Sequence, residues 1–70
     1  MNPRKIQNLA AALSFEFIAA RARGENLDES TKPQAAAYRA KIATLNALGL
    51  SVSRAENGAH KIFSNKLNRQ

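Results

Sequence analysis

The single imidazole of this 70-residue chain, His60, is the first place to look for acid–base chemistry. Its nearest carboxylate in sequence is Glu56, across an Asn57-Gly58 turn signal. A lone His with no second base, no cysteine and no tryptophan beside it reads as a structural or solvent-facing side chain. The acids Glu25, Asp28 and Glu29 cluster, but their spacing lacks the glycine and the ligand count of a calcium loop. They read as capping carboxylates in a solvated turn. The three glycines, Gly24, Gly49 and Gly58, stand alone, so no phosphate-cradling loop exists. No serine has a base partner that singles it out as a nucleophile. The sequence therefore predicts a non-enzyme without cofactor or metal.

The basic residues carry more meaning. Eleven Lys and Arg stand against five Asp and Glu, giving a net charge of +6. The charge is uneven: residues 1–23 carry +3, residues 24–33 carry −2 and residues 34–70 carry +5. Two basic stretches flanking an acidic connector favour a polyanionic partner: nucleic acid, an anionic membrane or an acidic protein face. The membrane is disfavoured because the first helix has no Trp and no clean basic face. Arg39, Lys41, Thr44 and Asn46 fall on one predicted helix, and Arg54, His60 and Lys61 on a predicted hairpin. Arg and Asn can read the edges of G and A, whereas Lys mostly neutralises phosphate. These seven are the candidate double-stranded DNA contacts, with Arg4, Lys5, Lys66 and Arg69 extending the footprint. RNA is disfavoured because Phe15, Phe17, Tyr38 and Phe63 are all claimed by packing, leaving no stacking platform.

Four elements must position these groups. The first helix is predicted over about 3–23: Asn2 caps it, Pro3 suits its first position, and Gly24 ends it. Ile6, Leu9, Leu13 and Phe17 recur at helical spacing and form its core face, widened by Ala10 and Ala20. The polar connector 24–31 contains Leu27 and a short helical turn begun by Asn26 or Asp28. The second helix is predicted over about 32–48, with Pro33 in its first turn, Ala35, Tyr38, Ile42 and Leu45 facing the core, and Gly49 as its stop. Residues 50–64 read as a β-hairpin around Asn57-Gly58. A two-residue turn would pair Val52 with Phe63, and a three-residue loop with Gly58 as a bulge would pair Val52 with Ile62. The second register is preferred because it places Leu50, Val52 and Ile62 on one face. A basic tail, 65–70, anchored by Leu67, ends the chain.

Both helices also carry a second small or apolar stripe. On the first, Ala11, Phe15, Ile18 and Ala22 lie nearly opposite Leu9 and Leu13. On the second, Ala36, Ala40, Ala43 and Ala47 repeat at a 4-3-4 spacing. A helix apolar on more than one face is normally buried on more than one face. A chain this short has little material to cover both sides, so a homodimer or a foreign protein partner is expected at these eight positions. No stretch reaches the roughly 18 uninterrupted apolar residues of a membrane span. Arg21 interrupts the only segment that looks like a signal-peptide cleavage site. A staple-free domain without cysteine fits a cytoplasmic setting.

The order of helix, Leu48-Gly49-Leu50 break, short strand, Asn57-Gly58 turn and basic second strand resembles the last helix and wing of winged-helix DNA-binding domains. The matching stretch runs from Tyr38 to Ser64, under half the chain. The fold expected is α+β, two main helices followed by a C-terminal β-hairpin, winged-helix-like. A winged helix has three helices, and only the 25–31 segment is available for the missing one. What the resemblance implies is a small dimeric DNA-binding regulator using the second helix and the wing. The alternative is a protein-binding inhibitor or adaptor of phage or plasmid type, docking through helical apolar surface.

Overall fold

The structure, a computed structural model, describes residues 3–64; the Asn2 cap and the basic tail with Leu67, Lys66 and Arg69 lie outside it. Helix α1 spans Pro3–Ala22 and helix α2 spans Pro33–Ala47; strands β1, Leu50–Arg54, and β2, His60–Ser64, form one antiparallel pair. The arrangement is α+β, two helices followed by a hairpin, and is compatible with a winged-helix-like end.

Each boundary has a local cause. At the end of α1 the Gly24 N–H donates to Arg21 O at 3.0 Å and the Glu25 N–H to Ala20 O at 2.9 Å. This is the paired bonding of a Schellman stop, made possible by a Gly24 φ of 79°. The helix therefore ends at Ala22, with Arg23 already in the turn. In the connector, Asn26 Oδ1 accepts the Asp28 N–H at 2.9 Å, and Asn26 O accepts the Ser30 N–H at 2.8 Å. One helical turn thus forms where the sequence places it, begun by Asn26, but it does not grow into a third helix. Helix α2 starts at Pro33, whose missing N–H falls where no helical partner exists. Its C-terminal Gly49 has φ 85°.

The hairpin adopts the register with Val52 opposite Ile62, Ser53 opposite Lys61 and Arg54 opposite His60. Its loop is closed by Ala55 N–H donating to Ala59 O at 2.8 Å and Gly58 N–H donating to Ala55 O at 2.9 Å. That bonding is a three-residue loop ending in a glycine bulge, with Gly58 at φ 98°. Strand β2 lies along α1 and β1 along α2, so the hairpin bridges the two helices.

The core comprises Leu13, Phe17, Ala20, Leu27, Ala35, Tyr38 and Leu45, with Leu9, Ile42, Leu50, Val52 and Ile62 packed around it. Leu27 is buried to 2 % exposure, so the polar connector contributes one full core side chain. Phe17, Tyr38 and His60, from three different elements, bring their rings within 5.7–6.1 Å of one another. Aromatic contacts of this kind contribute about 0.5–1.5 kcal/mol per pair beyond area burial.

Candidate functional site

The period-2 pleat decides where the hairpin's basic groups point. Arg54 and His60 are register partners on the same side as Val52 and Ile62, toward the core, while Lys61 and Ser53 occupy the outer side. Arg54 and Lys61 therefore leave opposite faces of the ribbon.

Arg54 is held by the connector. Its Nη1 donates to Asp28 Oδ1 at 3.1 Å and its Nη2 to Asp28 Oδ2 at 2.9 Å, a two-pronged pair. The guanidinium also lies 4.3 Å from the Phe17 ring centre and 3.3 Å from the Tyr38 hydroxyl. The bonds from Arg54 hold the Asp28 carboxyl below the usual range, against partial burial that pushes it up. The same pairing raises the already high pKa of Arg54.

His60, a candidate DNA contact on the sequence, is buried and fully bonded. Its Nδ1 lies 2.7 Å from Gly58 O and its Nε2 lies 2.7 Å from the Tyr38 hydroxyl. A carbonyl only accepts, so Nδ1 carries the hydrogen, and in the neutral ring Nε2 then accepts from Tyr38 O–H. The His60 backbone N–H donates to Ser14 Oγ at 2.7 Å, and Ser14 Oγ donates to Ala10 O at 2.8 Å.

On α2 the four candidate groups split between two flanks. Arg39 and Asn46 are seven residues apart and share one; Lys41 and Thr44 share the other. Arg39 Nη1 donates to Leu27 O at 2.7 Å and to Ser30 O at 2.9 Å, fastening the connector turn to the helix. Lys41 Nζ pairs with Glu16 Oε2 of α1 at 2.6 Å. Thr44 and Asn46 are exposed. Of the seven residues, Arg39, Lys41, Arg54 and His60 are thus engaged inside the chain, and Lys61 is exposed on a different face from Arg54.

The second stripes are laid bare. Ala11, Phe15, Ile18 and Ala22 are all exposed, Phe15 at 75 % and Ile18 at 48 %. The expectation that packing claims all four aromatic rings is thereby corrected: Phe17 and Tyr38 are buried, but Phe15 and Phe63 are not, and the ground given against RNA falls with it. Ala36, Ala40, Ala43 and Ala47 are exposed along α2. The hairpin tip reaches only the edge of the α1 stripe: a Cβ on Gly58 would stand 2.6 Å from Ile18 Cγ1. Beside the stripe, Ala10, Ala11, Ser14, Lys61 and Phe63 line a shallow hollow between α1 and β2, with Phe63 46 % exposed. Between the helices, Leu9, Ala12, Ala40, Thr44 and Leu48 line a second, apolar groove.

Alternation along the hairpin carried the signal for the inward placement of Arg54 and His60, since the preferred register puts both on the Val52 side. The Arg39 anchor had no sequence signal, because its acceptors are backbone carbonyls. Among the described residues, no group of three or more His, Cys, Asp or Glu gathers for a metal ion, and no helix is long and apolar enough to cross a membrane. Compared with protein-family profiles, curated proteins and solved structures, the chain matches none.

Proposed function

We propose that this chain is a protein-binding module, an inhibitor or adaptor, that docks through the outer face of α1. The observation that carries this reading is Phe15, three-quarters exposed at the middle of a 20-residue helix, with Ile18 one turn on. Aromatic side chains, Phe among them, are enriched at protein interfaces, where a few buried anchors carry most of the binding energy. The engagement of Arg39, Lys41, Arg54 and His60 within the fold supports this reading over DNA binding, which needs basic groups that reach one duplex together.

The test is a selection of helical peptides from a displayed library against the full chain, with Phe15→Glu as the counter-target. Enrichment of peptides that bind the parent and not the variant is the expected result; no such enrichment overturns the reading. A parallel titration with duplex DNA at low and moderate salt addresses the DNA-binding regulator. Saturable, sequence-dependent binding weakened by Lys61→Glu, with the lost phosphate contact lowering the salt slope by about one unit, would restore it.

A further inference from the structure

Resting on the docking reading, we infer that the outer face of α1 takes an amphipathic helix with acidic flanks, contributed by another protein. The shape of the face sets the first half of this inference. Ala11, Phe15, Ile18 and Ala22 follow a 4-3-4 spacing, the a/d rhythm by which one helix seats its side chains between those of another. The stripe is one helix wide and about 16 Å long at 1.5 Å per residue. Small residues at both ends and large ones in the middle let a second backbone approach closely at Ala11 and Ala22 while Phe15 and Ile18 insert. The hollow beside Ala11, walled by Phe63, extends the apolar contact to one side.

Charge sets the second half. Arg4 stands eighteen residues, five full turns, before Ala22 and so lies in line with the stripe. Lys61 lines the adjoining hollow. Arg21 caps the hairpin tip through Glu56 O at 2.9 Å and remains exposed. Most acids lie away from the stripe or are paired: Glu16 is bonded to Lys41 of α2, and Glu25, Asp28 and Glu29 belong to the connector. Glu56, at the hairpin tip, is near this face, and Glu16 shares a hollow with Phe15 and Arg23, its charge met by Lys41. The apolar stripe is thus bordered by cations with little negative charge of its own. A partner with Glu or Asp flanking its apolar seam complements it and is steered to it. A second copy of this chain does not complement it, because it brings another +6 and the same cations to the contact.

The probes are two labelled 21-residue helical peptides with the same Leu seam at heptad spacing, one flanked by Glu and one by Lys. Fluorescence anisotropy with the full chain measures both. The Glu peptide is expected to bind at least tenfold more tightly than the Lys peptide, with the gap narrowing as salt rises. Phe15→Ala should weaken the Glu peptide about tenfold or more. Lys61→Glu, on the outer side of the hairpin, should shrink the preference without abolishing binding. Equal binding of the two peptides overturns the acidic partner and leaves the docking reading standing. Binding of neither peptide, with no Phe15-dependent enrichment in the library, removes both. A Phe15-dependent dimer in light scattering, or Phe15-dependent binding to anionic vesicles in place of the peptides, overturns the proposal in favour of that occupant.

Discussion

The Tyr38 hydroxyl of α2 donates to Nε2 of His60 in β2 across 2.7 Å, joining residues 22 apart in sequence where both are buried. The bond is one link in a chain. Arg54 donates to the Tyr38 oxygen at 3.3 Å, Tyr38 donates to His60, and His60 donates through Nδ1 to Gly58 O. Every polar atom of the imidazole is thereby satisfied without water. The hairpin is fastened to α2 by this chain and to α1 by the bond from His60 N–H to Ser14.

Tyr38→Phe keeps the ring and removes the donor, leaving the His60 Nε2 buried without a partner. Stranding a buried polar atom costs about 1–3 kcal/mol. Urea denaturation should show a loss of that size. A double-mutant cycle with His60→Ala should show that the two losses do not add, because both break the same bond. Additive losses would mean that the bond contributes nothing of its own.

Much of this was legible in the sequence, and for separable reasons. Helical spacing marked Leu13, Phe17, Tyr38 and Leu45 as core, and all four are buried. Asn57-Gly58 marked the turn, and alternation chose between two registers. The stripe of Phe15 and Ile18 was visible as a second apolar face, and it is exposed. What could not be read was pairing across distance. Nothing local tells that Arg54 meets Asp28, 26 residues earlier, or that Arg39 turns back to carbonyls of the connector. Leu27, alone among polar neighbours, has no periodicity to declare its burial. Read locally, these basic residues stand available as DNA contacts, whereas the fold uses several of them as fasteners.

Arg39 is the clearest of these. Its guanidinium holds Leu27 O and Ser30 O together, keeping Leu27 seated in the core. Arg39→Met retains the aliphatic stem and removes both bonds. Hydrogen bonds from a charged donor contribute about 1.5–3 kcal/mol each. The partly exposed setting puts the expected loss at the lower end. Amide exchange in residues 26–31 should rise more than in the hairpin; uniform acceleration would argue against a local anchor.

Gly58 should tolerate no side chain. Its φ of 98° disfavours a Cβ, and the Cβ would lie 2.6 Å from Ile18 Cγ1 and 3.3 Å from Phe17 Cδ2. Gly58→Val should destabilise by more than about 1 kcal/mol, because an incompatible backbone angle adds to the clash. Adding Ile18→Ala should recover the steric part and leave the backbone part, which thermal melts of the two variants can separate.

The Asp28–Arg54 pair predicts a pH response. The bonds donated by Arg54 hold the Asp28 carboxyl below its ordinary value in the folded state. A lowered folded value means that the contribution is fully present above about pH 4, the unfolded carboxyl's range, and is lost as pH falls through the folded value. Asp28 is about half exposed, so screening keeps the contribution small. Between pH 7 and pH 3 the parent should lose more stability than Asp28→Asn, which has no charge to lose. Parallel pH profiles would show that the pair does not act in solution.

Phe15→Glu bears most directly on the docking face. In the isolated chain Phe15 is 75 % exposed and belongs to no core cluster, so replacing it removes little buried area. Surface substitutions of this kind usually change stability by no more than about 0.5 kcal/mol. The variant should therefore melt as the parent does, with unchanged helix and hairpin signals. Glu at this position also places a negative charge where an acidic partner would approach, so binding should fail through both lost contact and repulsion. A variant that stays folded yet no longer binds locates the interface at α1. A marked loss of melting temperature at dilute concentration would instead mean that the side chain is covered in solution, by another part of this chain or by a second copy, and light scattering of the parent would tell which.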